Sequence, residues 1–334
     1  MNDLKLGFIG CGGHAQLCLY PSLAALGIRL QSVCALHLEH AQEIAIKYDI
    51  PHVYDNYKTM LQKENLDAVF IAVSGEQHVQ IVLDCLKAHV HVFVEKPVGS
   101  TVDDAVRVAD MAKKVGKHVQ VGYMKRFSPI YQKARLMVND HKTFGAPVSF
   151  NAIFNYGIFW ICYKRTQFFL NAAIHNIDLL RYFVGEITDI HCVKKLVADG
   201  ISYQFNFASD QKIIGSMVIM GLLPWAHRKE EMTITGTKAF VTISESNTIT
   251  FHPTSGTNKV SRWQVTDKIK NRFSSVDSTS SGNLQLFYLS GYIDELKEFV
   301  ESVKNNKATI NTAEENIKTM KLYEKILPSL EKIS

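Results

Sequence analysis

The sequence predicts an α/β protein: a doubly wound parallel sheet at the N-terminus, then an α+β domain built on a large, open, mainly antiparallel sheet. Three observations carry this. Up to about residue 121, short apolar runs alternate with amphipathic stretches of helical period, the pattern of successive βαβ units. After Gly122 the runs lengthen, and several alternate polar with apolar residues, as strands with one free face do. Finally, a glycine-rich turn, Gly10-Cys11-Gly12-Gly13-His14-Ala15, joins the first apolar run to the first helical stretch.

The first strand is read at Lys5–Ile9 and the helix after the turn at His14–Leu26. Between them, Gly10-x-Gly12-x-x-Ala15 matches the G-x-G-x-x-G/A fingerprint of a dinucleotide-binding Rossmann unit. Gly10 permits the tight turn, Gly12 lets the backbone approach a pyrophosphate, and Ala15 lets the helix lie close on the strand. The helix N-terminus offers N–H groups and a partial positive charge to phosphate. Gly10, Gly12, Gly13, His14 and Ala15 are therefore candidate cofactor residues; the competing reading is a glycine turn with no ligand.

The second strand is read at Leu30–Ala35. An NAD site expects a carboxylate about 20 positions after the turn, to accept a hydrogen bond from the ribose 2′-hydroxyl. Here the strand ends in Ala35, followed by Leu36 and His37, with no carboxylate before Glu39. That removes the charge that would repel a 2′-phosphate, so NAD(P)(H) is expected, with NADP(H) slightly favoured. No Lys or Arg stands there; His37 or His40 is the only attraction on offer.

Strands at Ala68–Val73, His91–Val94 and His118–Val121, with helices at Gln77–Ala88 and Val102–Val115, complete the first domain, residues 1–121. A parallel sheet delivers its strand ends to one edge, where ligands bind. That puts Ala72, Val73 and Ser74, and then Glu95-Lys96-Pro97, beside the glycine turn, with His78 in the next helix near the cofactor. A lysine beside a nicotinamide ring can relay a proton to or from an alcohol or ketone. Lys96 is thus a catalytic candidate, against the alternative of a surface ion pair with Glu95.

The second domain, residues 122–334, is read as strands at Val148–Phe159, His191–Leu196, Tyr203–Phe207, Lys212–Met220, Glu231–Thr235 and Ala239–Ile243, interrupted by a helix at His175–Phe183. Residues 253–283, rich in Ser, Thr, Asn and Gly, read as a loop or extended insertion, and two helices, about 291–304 and 312–327, close the chain. An open sheet with an apolar free face needs a cover, so a homodimer or homotetramer is expected. Trp160, Tyr163, Lys164 and Arg165 could line a sugar site or pack on a partner subunit.

Composition excludes several classes. With 334 residues, 46% hydrophobic and 21% charged, the chain has the profile of an ordinary globular protein. The net charge of +5 is spread along it, so no nucleic-acid partner is expected. No apolar stretch reaches about 18 residues, so no membrane span is expected, and the immediate entry into a strand leaves no room for a signal peptide. Cys11, Cys18, Cys34, Cys85, Cys162 and Cys192 form no C-x-x-C pair, which suits reduced thiols in a cytoplasmic protein. No metal-ligand spacing is present.

With Glu95-Lys96-Pro97 in place, the chain resembles the Gfo/Idh/MocA oxidoreductases, nicotinamide enzymes acting mostly on sugars, polyols and their derivatives. The likeness extends over Asp67–Val73 with His78, over Val121-Gly122-Tyr123-Met124-Lys125-Arg126-Phe127, over His175-Asn176-Ile177-Asp178-Leu179-Leu180, and over Gly291-Tyr292. It implies a cis Lys96–Pro97 peptide and His175 as the partner of Lys96 in proton transfer; Tyr123 and Arg126 are expected to border the cofactor cleft, the alternative for Arg126 being an ion pair with a surface carboxylate. The family usually has Asp four residues before that histidine; here the position is Asn171, which hydrogen-bonds but takes no proton. Asn171 reads equally as a helix N-cap, and His175 also reads as a core histidine. The expected activity is hydride transfer between nicotinamide and a carbinol or keto carbon of a sugar-like substrate. The alternatives are an NAD-dependent glycosidase of the same fold and a non-catalytic nucleotide-sensing regulator.

Overall fold

A computed structural model describes residues 4–156, 165–197, 200–222, 229–253, 271–274 and 284–331. In chain order its elements are β1 (Leu6–Ile9), α1 (Tyr20–Ala25), β2 (Ser32–Cys34), α2 (Leu38–Tyr48), β3 (His52–Tyr54), α3 (Tyr57–Lys63), β4 (Ala68–Ile71), α4 (Gly75–Lys87), β5 (His91–Glu95), α5 (Val102–Val115) and β6 (Val119–Gly122). Then come α6 (Pro129–Asn139), β7 (Pro147–Asn155), α7 (Arg165–Phe168), α8 (Ile174–Val184), β8 (Ile187–Val197), β9 (Gly200–Ser209), β10 (Ile214–Gly221), β11 (Lys229–Gly236), β12 (Ala239–Ser244), β13 (Thr248–Pro253) and β14 (Asn271–Ser274). The chain closes with α9 (Leu284–Ser290), α10 (Tyr292–Asn305) and α11 (Ala313–Glu331).

The chain divides into two compact units. One comprises Met1–Phe127 with Ser281–Lys325, the other Ser128–Ser280 with Ile326–Ser334. Within residues 122–334, α9, α10 and most of α11 group with the first unit. The cause is hydrophobic: Leu296, Phe299, Val300 and Val303 of α10 share one buried core with Leu6, Phe8, Phe70 and Phe93. Phe299 sits against Phe70 and Phe93 at centroid distances of 5.4 and 5.8 Å.

The first unit holds a six-stranded sheet of order β3-β2-β1-β4-β5-β6. Every neighbouring pair is parallel. Thr101 caps α5 by accepting from the Asp104 N–H, and Gly116, at φ 66°, ends it in the left-handed region. The helix expected at His14–Leu26 is not one regular α-helix. Ala15–Leu19 form a π-helical turn before α1 begins. Pro21 has no N–H to donate one turn back, and the wider turn absorbs that break. Strand β3 lacks an apolar run and was not foreseen.

The second unit holds an eight-stranded sheet among the described residues, of order β14-β13-β12-β11-β7-β10-β9-β8. Only β7 and β10 pair in parallel; the other neighbours are antiparallel. One face is buried: Phe150, Tyr203, Phe205, Met217, Ile234 and Val241 are all essentially inaccessible. Phe169 stands 4.8 Å from Tyr203 and 5.9 Å from Phe205, edge to face. The other face mixes Ile153 and Val218 with Asn151, Ser216, Thr233 and Thr242, around a recess of about 470 Å³. It is more polar than expected. Strand β7 ends at Asn155, one residue short of Tyr156, and the rest of the continuation expected to Phe159 lies outside the described residues. Strand β14 falls inside what reads as a loop; β13, with alternating Thr248-Ile249-Thr250-Phe251, precedes it in a stretch to which the sequence reading assigns no element and meets it only at Pro253.

Candidate active site

The first unit brings the glycine turn and four strand ends to one edge. Gly10 has φ 115°, and a Cβ on it would lie 2.0 Å from the Ala72 carbonyl oxygen, so no other residue fits. The close approach joins β1 to β4, where the Ala72 N–H donates to Ile9 at 2.9 Å, and carries Val73 and Ser74 to the same edge. From beneath, the Tyr20 hydroxyl donates to the Gly10 carbonyl at 2.9 Å, and its ring stacks on Phe8 at 4.2 Å. A Cβ at Gly12 or Gly13 would meet no atom of the protein within 4 Å. The turn thus presents bare backbone outward at the start of a helix. Ala15 behind it is buried. These residues fit a dinucleotide pyrophosphate.

At the end of β2, Ala35 is buried and its N–H donates to Tyr54 at 3.1 Å. His37 follows at the head of α2, exposed, its ring 5.6 Å from that of His40. Glu39 lies 3.9 Å from the His37 Nδ1. A pair of imidazoles and one carboxylate therefore stand where a single acidic residue is usual.

Glu95 is the last residue of β5, buried, and opposite Gly122 of β6. A Cβ on Gly122 would crowd the carboxylate at 3.2 Å, so glycine makes its room. One carboxylate oxygen lies 3.2 Å from the His14 Nε2, and the other accepts the Lys96 main-chain N–H at 3.3 Å. Burial opposes the charge on Glu95, but His14, Lys96 and His78 hold its carboxyl below the usual range. Burial also works against protonation of His14; the Glu95 carboxylate outweighs it and pushes the imidazole up to about 10. For Lys96, loss of solvent lowers the affinity for its proton, and Glu95 partly restores it. The Lys96–Pro97 peptide is cis. His78, in the first turn of α4, donates from Nδ1 to the Pro97 carbonyl at 2.9 Å, and burial keeps it neutral. It acts as a prop for the Lys96–Pro97 turn.

Arg126 makes the ion pair that is its alternative reading, and the Tyr123 hydroxyl is engaged on the same helix, α11. The Tyr123 hydroxyl donates to Asn316 Oδ1 at 2.8 Å, and Arg126, also buried, lies 3.9 Å from Glu315, so both tie to α11.

In the second unit His175 is buried in the first turn of α8. Asn171 lies in a π-helical turn, Phe169–Ala173, just before it and is exposed. The N-cap position of α8 belongs to Ala173, so the capping role is excluded. Asn176 is buried and donates from Nδ2 to the Tyr156 hydroxyl at 2.6 Å. Asp178 stands 3.9 Å from Arg181, which also pairs with Glu186 at 2.6 Å; these hold the helix. Trp160, Tyr163 and Lys164 lie outside the described residues, as does the side chain of Arg165. No described helix is long and apolar enough to cross a membrane, and no described group of three or more His, Cys, Asp or Glu could hold a metal.

Sequence reasoning missed Tyr20 and the link from His14 to Glu95. The clue available was that both ends of the link fall at one edge of a parallel sheet.

Residues 4–123 match the model of an oxidoreductase family with an NAD-binding Rossmann fold, GFO_IDH_MocA, and residues 161–332 match its C-terminal α/β domain. The chain belongs to the Gfo/Idh/MocA oxidoreductase family. Among curated members, it is 28% identical over 187 residues to inositol 2-dehydrogenase of Salmonella typhimurium, covering 55% of each chain. It is 31% identical over 195 residues to that of Rubrobacter xylanophilus, covering 55% of this chain and 53% of the relative. The chain thus spans about half the length of the curated relatives it matches. Among solved structures, a dehydrogenase from Chromobacterium violaceum superposes with a TM-score of 0.85 at 22% identity, over 98% of this chain and 94% of that one. Levoglucosan dehydrogenase in complex with NADH and L-sorbose gives 0.81 at 16% identity, over 99% and 97%. At these identities the structures establish the Gfo/Idh/MocA fold alone.

Proposed function

We propose that the protein is an NAD(P)-dependent dehydrogenase or reductase that moves a hydride between nicotinamide and a carbinol or keto carbon of a sugar, polyol or sugar derivative. The observation that carries this is the placing of Glu95-Lys96-Pro97 on the same sheet edge as the Gly10–Ala15 turn. Gly10, Gly12, Gly13, His14 and Ala15 hold the pyrophosphate; Ala72, Val73 and Ser74 border the cofactor. The nicotinamide, when bound, supplies the acceptor or donor of the hydride.

Lys96 holds the reacting oxygen by a hydrogen bond and takes or gives its proton, made easier by the desolvation that weakens its hold on that proton. His175 shares the proton, since an imidazole titrates near neutral pH. Asn171 orients a hydroxyl or the imidazole and leaves proton transfer to the other two. The buried carboxylate of Glu95 fixes the charges around Lys96. Because Ala35 supplies no carboxylate, NADP(H) binds at least as well as NAD(H).

The substrate class rests on the names of the relatives: inositol 2-dehydrogenases, and a levoglucosan dehydrogenase holding L-sorbose. A screen of oxidised and reduced sugars, polyols and acidic or nucleotide-linked sugars with both cofactors tests the proposal by absorbance at the reduced nicotinamide. Net cofactor reduction or oxidation with one sugar class supports it. Turnover without net cofactor change points to the glycosidase, and cofactor binding without turnover to the regulator.

We also propose a homodimer or homotetramer built on the free face of the second sheet. Ile153 and Val218 on that face are apolar side chains that a second copy would cover. A monomeric mass by light scattering at micromolar concentration would count against it.

A further inference from the structure

The His14–Glu95 contact has no counterpart in the fingerprint that brought these residues to notice. His14 belongs to the glycine turn, Glu95 to the motif beside it, and 81 positions separate them. Their meeting places a charge balance next to Lys96. The carboxylate of Glu95 is buried, held against Gly122, and its two oxygens face the His14 Nε2 and the Lys96 main-chain N–H. His14 itself is half-exposed, so its charge is exchangeable with solvent while that of Glu95 is shielded.

We propose that His14 is a positioning residue whose positive charge offsets Glu95, so that the buried carboxylate does not lock Lys96 in its charged form. The inference rests on the reading of Lys96 as the proton carrier and deepens it. The physical argument is one of competing counter-ions. A lysine removed from water beside one unbalanced carboxylate keeps its proton, because an opposite charge within about 4–6 Å favours the ammonium by one to three pH units. A second cation on the carboxylate, at the oxygen not bonded to the Lys96 main chain, shares its field, and the desolvation of Lys96 then prevails.

The surroundings agree. From α10, the Tyr292 ring packs on the imidazole at 5.7 Å, and burial keeps its phenol neutral. Glu295 of α10 adds negative potential near Tyr292, and His78 of α4, kept neutral by burial, stands on the Pro97 carbonyl two residues beyond Glu95. The charged groups at the site are thus His14, Glu95, Lys96 and the more distant Glu295.

Competitive acetylation of the full-length chain, between about pH 6 and 11, reads the midpoint at which Lys96 becomes reactive, by peptide mass spectrometry and without any substrate. Removing the cation in His14→Gln should raise the midpoint by about one pH unit, a tenfold change in proton affinity. His14→Arg should return it, and Glu95→Gln should move it the other way. A folded His14→Gln with the unaltered midpoint overturns the inference, since a merely structural role for His14 predicts no shift. Should His14→Gln not fold, ring NMR of the unaltered chain decides. An imidazolium persisting above about pH 8 supports the inference, and a titration near about 6.5 overturns it. Turnover of Lys96→Ala is read separately. Normal turnover removes the role of Lys96 and the inference with it. An inactive Lys96→Ala with an unmoved midpoint in His14→Gln overturns the inference alone.

Discussion

Lys96 and the pyrophosphate turn do separable work, and substitution should separate them. Lys96→Ala is expected to lower kcat by about 10²–10⁴-fold while calorimetry shows cofactor binding largely intact, because the turn at Gly10–Ala15 supplies that binding. Near-normal kcat on an identified substrate would refute the scheme. At Ala35, an introduced carboxylate regains the ribose contact and repels a 2′-phosphate. Ala35→Asp should therefore tilt the ratio of dissociation constants toward NAD(H) by about tenfold or more, equivalent to about 1.4 kcal/mol; an unchanged ratio would place the discriminator elsewhere. Residues whose role is local were legible in the sequence. Gly10 announces a positive φ, and Lys96 before Pro97 at a strand end announces a group at the ligand edge. Roles made by distant partners were not. Nothing near Tyr123 in the sequence reveals that its hydroxyl is committed to Asn316, or that His14 meets Glu95.

Elements were legible in proportion to their burial. Helix α5, with a Thr cap, a glycine stop and one apolar stripe, has the ends its sequence predicts. The short β3 is half-exposed and carries no apolar run, and the short β14 lies in a stretch rich in Ser, Thr and Asn, so periodicity does not mark these two; β13 does alternate, at Thr248-Ile249-Thr250-Phe251, and was not foreseen. The two π-helical turns escaped as well, for a helical pattern does not report an extra residue per turn. Helix α10 was foreseen as an element but not as a wall of the first unit. That placement is testable: Phe299 is fully buried between Phe70 and Phe93. Phe299→Ala should cost about 3–5 kcal/mol by the usual penalty for emptying a core aromatic site. Urea unfolding should show it as a lowered midpoint; a change within about 0.5 kcal/mol, the range of surface substitutions, would mean that α10 contributes little to that core.

For the molecule as a whole, acid is the expected weakness. His91 begins β5, buried, with its ring 4.9 Å from that of His118 and its Nδ1 accepting the His118 N–H at 3.0 Å. Burial first, then Lys117 and His118, lower its imidazole to about 4, against the opposing pull of Asp67. The unfolded chain takes up that proton near 6.5, so it binds more protons than the folded one between these values. The stability from a neutral His91 is complete above about pH 6.5 and lost as pH falls toward 4, by no more than about 3 kcal/mol. Urea midpoints at about pH 7.5 and about pH 5 should differ in the unaltered chain and converge in His91→Gln; an equal slope in both would move the acid sensitivity to another group. A last consequence concerns synthesis. The first unit is assembled from two stretches of chain, with residues 128–280 made in between. At about 5–20 residues per second, a nascent parallel sheet waits on the order of ten seconds for α10 to leave the ribosome. During that interval Phe70 and Phe93 have no lid, and a nascent-chain chaperone has its longest opportunity to bind there.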